Sequence, residues 1–244
     1  MGELKYCALI PTYQNGKTVP DVVRRTLGVC PYVIVVDDGS TDGTAGLLSG
    51  LSVTLLTHSV NRGKGRALIT GFRAAMEMGF THVVTLDADA QHFPEDIPSL
   101  IEASRANPES MIVGCRNLTS DNMPRQNTFA NRFSNFWFRL QTGQRLEDTQ
   151  SGFRVYPLRS LHGMGLVTSR YEAELELMVF AAWNGVGMKG GPVRVWYAPV
   201  GERVSHFRPF MDFFRISVLN TVLCFGAILY ALPKFIIRKA MRGR

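Results

Sequence analysis

Short apolar runs alternate with amphipathic stretches along the first half of the chain. Residues 5–11 (KYCALIP) read as a buried strand stopped by Pro11, and residues 19–27 carry helical spacing. The run 32–38 (YVIVVDD) is a second strand that ends on two carboxylates. The cluster Gly39-Ser40-Thr41-Asp42-Gly43 then turns the chain into a helix expected to reach Leu51. A strand at 53–57 and a helix from Lys64 to Met78 follow, and the run 82–90 (HVVTLDADA) again ends in acid. Pro94 opens a helix to Asn107, with Glu95 and Asp96 suited to its positive end, and 111–115 is the next strand. Such alternation of strands with helices of about 10–15 residues predicts an α/β fold, a mostly parallel sheet with helices on both faces.

Beyond Arg125 the alternation loosens. A helix over 127–140, a strand over 151–157, a helix over 171–184 and a strand over 193–197 complete one α/β domain, assigned to residues 1–208. Residues 209–244 form a hydrophobic, basic-flanked appendage. In parallel sheets, ligands bind beyond the carboxyl ends of the strands. Tyr13, Asp37, Asp38, Asp87 and Asp89 all fall at that edge.

Charge sharpens the reading of the appendage. Of a formal net charge of +7, the segment from Glu202 to Arg244 holds +6, from eight basic and two acidic residues. A basic end flanking an apolar run points to an anionic membrane surface and away from nucleic acid. Between Arg215 and Lys234 lie 18 uncharged residues, the lower limit for crossing a bilayer core. Basic residues stand at both ends of that run, and basic flanks stay inside. Residues 209–237 are therefore expected to lie in the interface or to form a shallow re-entrant hairpin on the cytoplasmic face. The alternative is a buried helix that makes a homo-oligomer. Cys7, Cys30, Cys115 and Cys224 form no C-x-x-C pair, which excludes a zinc ribbon and fits a reducing compartment. The chain enters a strand at once, without a signal-like apolar region, and Tyr6 breaks the myristoylation pattern.

Asp87 and Asp89 stand at i and i+2, so on a strand both carboxylates would face one hard cation, with Gln91 as a neutral oxygen ligand. The bland alternative is a pair of solvated loop acids. Neither Gly39/Gly43/Gly46 nor Gly63-Lys64-Gly65 has dinucleotide-fingerprint spacing, and no Walker A motif occurs, which counts against oxidoreductases and P-loop NTPases. Glu172, Glu174 and Glu176 sit on one helix and need either solvent or a basic partner. His206 and Arg208, two apart, suit a phosphate.

Taken in order, several motifs resemble the inverting family 2 glycosyltransferases of GT-A fold, in particular those that act on polyprenyl phosphates. They are Ile10-Pro11-Thr12-Tyr13, Val36-Asp37-Asp38-Gly39-Ser40-Thr41-Asp42-Gly43-Thr44, Asn61-Arg62-Gly63-Lys64-Gly65, Asp87-Ala88-Asp89-Ala90-Gln91-His92, Gly114-Cys115-Arg116, Asp148-Thr149-Gln150-Ser151-Gly152-Phe153-Arg154 and Tyr171-Glu172-Ala173-Glu174-Leu175-Glu176. The resemblance implies a nucleotide-sugar donor held by Pro11, Tyr13, Asp37, Asp38, Lys64, Asp87 and Ala88. It implies Mg²⁺ or Mn²⁺ on Asp87, Asp89 and Gln91. It also implies a lipid-linked acceptor met by Arg116, Arg132, Arg154, His206 and Arg208. Asp148 and Arg116 stand where catalytic residues are expected, with Asp148 as the base if the acceptor is a hydroxyl. Gln14-Asn15 replaces the family's frequent Asn-Glu, which leaves UDP and GDP both open.

Overall fold

The computed structural model describes residues 3–116, 125–161, 163, 165–196 and 209–242. Seven strands form one sheet in the order β3-β2-β1-β4-β6-β5-β7. They are β1 (Tyr6–Thr12), β2 (Val33–Asp37), β3 (Thr54–Thr57), β4 (His82–Thr85), β5 (Met111–Arg116), β6 (Arg154–Pro157) and β7 (Met188–Val193). All run parallel except β6, which pairs antiparallel with β4 on one side and β5 on the other.

The helices are α1 (Val19–Leu27), α2 (Thr44–Leu47), α3 (Lys64–Glu77), α4 (Ile97–Ala106), α5 (Arg125–Thr142), α6 (Leu158–Leu161), α7 (Glu172–Trp183), α8 (Pro209–Gly226) and α9 (Leu232–Arg242). Strand alternation divides the core in two. Cys7, Leu9, Ile34 and Val36 face a layer with residues of α3, α5, α7 and α8, while Ala8, Ile10, Val33 and Val35 face residues of α1 and α4. The sheet is therefore covered on both faces, as the continuous apolar runs require.

Three local expectations need correction. The second helix stops at Leu47, because Gly46 and the left-handed Gly50 break the turn that was expected to reach Leu51. Strand β4 ends at Thr85, so Asp87 and Asp89 lie on the turn beyond it and strand alternation does not set their geometry. The last strand is 188–193 and not 193–197. Its Lys-Gly-Gly-Pro sequence reads as a turn, yet β7 is a sheet edge, where a proline is tolerated. Side chains at Gly190 and Gly191 would press on Cys115 and Leu100.

The hairpin version of the C-terminal segment does not form. From Pro209 to Arg242 the chain stays helical, passing from α8 through a π-turn (Ala227–Ala231) into α9. Its stretch Phe214–Ile237 is long and apolar enough to cross a membrane by length and composition. One side is fixed to the domain. Leu219 and Leu223 join the core, Gln141 Nε2 donates to Asn220 Oδ1 at 2.9 Å, and Lys234 Nζ donates to Asn184 Oδ1 at 2.9 Å. Gly226 lies so close to Trp183 that a Cβ there would stand 2.7 Å from the indole. The other side exposes Phe214, Val218, Val222, Phe225 and Leu229.

Candidate active site

The strand tips converge as the alternation required. Thr12 and Asp37 are register partners at the ends of β1 and β2, and Asp87 follows β4 immediately beside β1. Two non-glycine residues there have left-handed backbone, Gln14 (φ 54°) and Ala90 (φ 62°). Such strain survives where surrounding contacts over-determine it. Around Gln14 those contacts are visible. Its amide donates to Ser40 Oγ, its side-chain Nε2 to Thr41 Oγ1, and its Oε1 accepts from the Thr41 amide. Gln14 thus fixes the 39–42 turn, a structural use of the position that departs from the family pattern.

The acids at the β2 tip do different things. Asp37 is buried and accepts from the Ser40 amide. Asp38 Oδ1 accepts from the Arg62 amide (3.0 Å) and lies 2.6 Å from His58 Nδ1, while Oδ2 accepts from the Gly63 amide (2.7 Å). Both Asp38 oxygens hold the 58–63 segment. The glycine-rich turn serves packing as well. A Cβ on Gly65 would stand 2.3 Å from that of Ala173, and the Gly65 amide donates to Ser169 O. Gly63 and Gly65 let α3 start against the 169–173 segment.

That contact brings Lys64 between two acids. Its Nζ lies 2.6 Å from Asp87 Oδ1 and 2.8 Å from Glu174 Oε2. Arg154 lies behind, 1% exposed, donating to Tyr156 Oη, Glu174 O and Thr149 O, with its guanidinium 3.7 Å from Glu174 Oε1. The acidic helix α7 therefore has a basic partner, and Glu176 instead accepts from the Val167 and Thr168 amides. Arg154 is too enclosed to meet an acceptor, and Lys64 is held by carboxylates where a donor contact was expected. Burial opposes charge on Asp87, but Lys64, with His92 and Arg154, outweighs it and holds Asp87 below the usual carboxylate range.

Asp89 has the opposite balance. Burial and the neighbouring Asp87 charge push its pKa up to about 6, against the Gln91 amide at 3.0 Å and the Lys64 charge. Lys64 is shared between Asp87 and Glu174, so the neighbouring Asp87 and Asp89 carboxylates keep negative charge that a divalent cation would neutralise. Among the described residues no three His, Cys, Asp or Glu side chains gather as a metal cage. Two carboxylates fit a Mg²⁺-type ion that takes its remaining ligands from substrate phosphates and water.

His92 completes this corner and was not singled out beforehand, although it ends the same acidic motif. It is buried with Nδ1 lacking a hydrogen-bond partner, and its ring packs on Phe153 at 5.3 Å. Burial drives its pKa down to about 4, so it is neutral at pH 7. The backbone around it is stitched to the segment after β7. His92 bridges Val195, the Trp196 amide donates to Gln91 O at 2.8 Å, and the guanidinium groups of Arg25 and Arg194 flank Phe93.

Across the site, Asp148 is 0% exposed. Arg116 grips it through two edges, Nε to Oδ2 at 2.5 Å and Nη2 to Oδ1 at 2.9 Å. Asn131 of α5 donates to Oδ1 at 2.6 Å and the Gln150 amide at 3.1 Å. Burial raises its pKa, yet the Arg116 bond and charge win, and Asp148 sits below its ordinary value. Pro11 is buried, Tyr13 is half-buried at the β1 tip, Ala88 is buried with its carbonyl accepting from Thr18, and Gln91 is half-buried. Arg132 is exposed on α5 beside Asn131. His206 and Arg208 lie outside the described residues.

Similar proteins give this arrangement a context. The model of glycosyl transferase family 2 matches residues 7–162. A UDP-N-acetylglucosamine–dolichyl-phosphate N-acetylglucosaminyltransferase of Methanococcus voltae is 30% identical over 87% of this chain and 94% of its own. A polyprenol monophosphomannose synthase of Mycolicibacterium smegmatis is 30% identical over 76% of this chain and 75% of its own. Among solved structures, glucosyl-3-phosphoglycerate synthase of Mycobacterium tuberculosis, crystallised with Mn²⁺, UDP-glucose and phosphoglyceric acid, covers 93% of this chain and 79% of its own. Its TM-score is 0.64 at 17% identity, a likeness of fold of the GT-A type. With strand tips, acidic turn and family match in agreement, the chain belongs to glycosyl transferase family 2 and is a glycosyltransferase.

Proposed function

We propose that the protein transfers a sugar, with inversion, from a UDP- or GDP-sugar to a polyprenyl phosphate at a membrane surface. Residues 1–208 form the catalytic domain and 209–244 the membrane-associating segment. The observation that carries the acceptor assignment is the state of Asp148. A general base needs an accessible oxygen and a pKa near the working pH. Asp148 has neither, since five donors surround it and Arg116 holds its pKa down. A hydroxyl acceptor would need such a base. A phosphate monoester, with its second pKa near 6, is already mostly dianionic at neutral pH and needs positioning instead. The names of both relatives, which carry dolichyl phosphate and polyprenol monophosphomannose, support the same class.

The roles of the side chains follow. Asp87 and Asp89, with Gln91, would hold Mg²⁺ or Mn²⁺, and Lys64 keeps Asp87 ionised and aimed. When bound, the ion acts as a Lewis acid that neutralises charge on the departing diphosphate. Pro11, Tyr13 and Asp37 hold the nucleotide. Asp148 fixes the plane of Arg116, which with Arg132 orients the acceptor phosphate. An acceptor oxygen then forms the new bond to the anomeric carbon as the bond to the diphosphate breaks on the opposite face.

The C-terminal helix supports an interfacial position. Its anchors at Asn220 and Lys234 lie about 20 Å apart along the helix at 1.5 Å per residue. A helix tied down over that length lies along the domain. Standing it upright in a bilayer would drag Gln141 and Asn184 into hydrocarbon. We place it in the plane of the cytoplasmic leaflet with its apolar side in lipid. A thermal-shift screen of UDP- and GDP-sugars with and without Mn²⁺ tests the donor assignment, because a bound ligand stabilises the fold by mass action. A stabilising donor that acts only with metal is expected. Stabilisation by no nucleotide sugar, or equal stabilisation with a chelator present, would overturn it.

A further inference from the structure

Strand β4 ends at Thr85, so strand alternation leaves open what aims Asp87 and Asp89 at one point. Just beyond Asp89 the backbone turns through Ala90 in the left-handed region, which is strained for any residue with a Cβ. Two contacts from outside hold this turn by its carbonyls. Thr18 Oγ1, at the head of α1, donates to Ala88 O at 2.6 Å, and the Trp196 amide, beyond β7, donates to Gln91 O at 2.8 Å. The same two elements meet again at Phe93. Arg25 of α1 grips Glu95 through Nε at 2.9 Å and Nη2 at 2.7 Å, with its guanidinium 5.4 Å from the Phe93 ring centre. Arg194 holds Asp96 with its amide on Oδ2 at 2.7 Å and its Nε on Oδ1 at 2.8 Å. Its guanidinium lies 5.0 Å from the same ring centre. One aromatic ring thus meets two cations, each fixed by a carboxylate of the ring's own segment.

We propose that Phe93, Arg25 and Arg194 are positioning residues that clamp the Asp87–Gln91 turn, so that Asp87 and Asp89 already face one divalent ion before it binds. The proposal rests on the metal reading above and deepens it by assigning what aims the ligands. Two arguments select this role over plain surface packing. The first is direction. Exposed ion pairs contribute little to stability, but a carboxylate gripped at two points fixes the guanidinium in one orientation. In both pairs that orientation is toward the Phe93 ring. The second is connectivity. His92, between Gln91 and Phe93, bridges Val195, which lies between Arg194 and Trp196. A shift of the ring is therefore passed to the contact that holds Gln91.

Charge explains why a clamp is needed. Asp87 and Asp89 repel each other when both are ionised, and on a free turn they would part. Without the clamp, Ala90 would relax out of the left-handed region and carry Asp89 away from Asp87. A divalent ion would then have to reorder the turn as it binds, which lowers its affinity. With the clamp in place that ordering is complete when the chain folds.

The test uses the full chain with Mn²⁺ and UDP, and in parallel with Mn²⁺ and GDP. Free Mn²⁺ is read by electron paramagnetic resonance, at a temperature where circular dichroism shows every variant folded. Phe93→Leu keeps apolar bulk and loses the ring face, whereas Phe93→Tyr keeps the face. An exposed cation–π contact contributes about a two- to five-fold change. Phe93→Leu, which loses both contacts, is therefore expected to weaken nucleotide-dependent Mn²⁺ binding by about five-fold or more. Arg194→Ala, which loses one, should weaken it by about two- to five-fold. Phe93→Tyr should recover most of the loss. Arg105→Ala, which breaks an exposed pair with Glu102 on α4, should bind as wild type. The sharper readout is suppression. Glycine at position 90 removes the strain of the left-handed turn, so in an Ala90→Gly background Phe93→Leu should lose about two-fold or less. Wild-type affinity in Phe93→Leu, an equal loss in Phe93→Tyr, or an undiminished loss in the Ala90→Gly background each overturns the proposal and leaves Phe93 a packing residue. No Mn²⁺ uptake by the wild type with either nucleotide, or uptake unaltered by Asp89→Ala, defeats the metal reading and the clamp with it.

Discussion

Replacing Asp148 by asparagine separates a positioning carboxylate from a catalytic base. The side chain is 0% exposed and its partner Arg116 13% exposed, so the change leaves a largely buried guanidinium without its counter-charge. Breaking a buried pair by removing one partner costs about 3–5 kcal/mol. Asparagine keeps the size and one acceptor oxygen, which puts the cost near the lower end. For a chain of this length each kcal/mol moves Tm by about 2–4 °C, so a drop of about 6–12 °C is expected by thermal denaturation. The pH dependence has a definite sign. The folded pKa of Asp148 is lowered, so its contribution is complete above the ordinary carboxylate value and disappears as pH falls through the folded one. The Tm gap between wild type and variant should stay constant from about pH 8 to 5 and close only in stronger acid. In kinetics, the acceptor KM should rise and kcat fall. The acid limb near pH 6, set by the acceptor phosphate, should persist in the variant. An unchanged Tm together with loss of that limb would refute the argument and make Asp148 the base.

Lys64→Met should remove the counter-charge of Asp87 and leave Glu174 with Arg154 alone, lowering Tm by a similar amount and weakening Mn²⁺-dependent donor binding by about ten-fold in calorimetry, with Lys64→Arg recovering part of both. At Gly152, the Cβ of an alanine would stand 2.7 Å from Asp87 Oδ2. Gly152→Ala should therefore lower metal-dependent donor affinity while far-ultraviolet circular dichroism stays native. Gly226→Leu should pry α8 from Trp183, raising protease sensitivity within 209–242 and sparing donor binding.

Much of this fold is legible because its elements announce themselves locally. Val19–Leu27 begins with a proline in its first turn and buries Val19, Val22, Val23 and Thr26 at helical spacing, so the expected and observed bounds coincide. Strands β1, β2 and β4 are apolar on both faces, and the acids that end β2 and follow β4 mark the ligand edge. What escaped local reading depends on distant partners. Lys64 looks like a phosphate ligand beside glycines until Glu174, far along the chain, is packed against it. Arg154 follows a catalytic-looking motif, yet strand parity turns it into the interior beneath α7. Asp37 and Asp38 are adjacent, and only the fold shows that the second pins the 58–63 segment. The β7 strand was missed because its glycines satisfy close packing with Cys115 and Leu100, a reason no local pattern carries.

The central claim is that the acceptor is a lipid phosphate. It is tested most directly by incubating the purified protein with its stabilising nucleotide sugar, Mn²⁺, and either a polyprenyl phosphate or the corresponding polyprenol, and measuring nucleoside diphosphate release with lipid-linked sugar formed. Transfer to the phosphate, with none to the alcohol, is the expected result. Transfer to the polyprenol, or to a glycan hydroxyl in preference to the phosphate, would contradict the account.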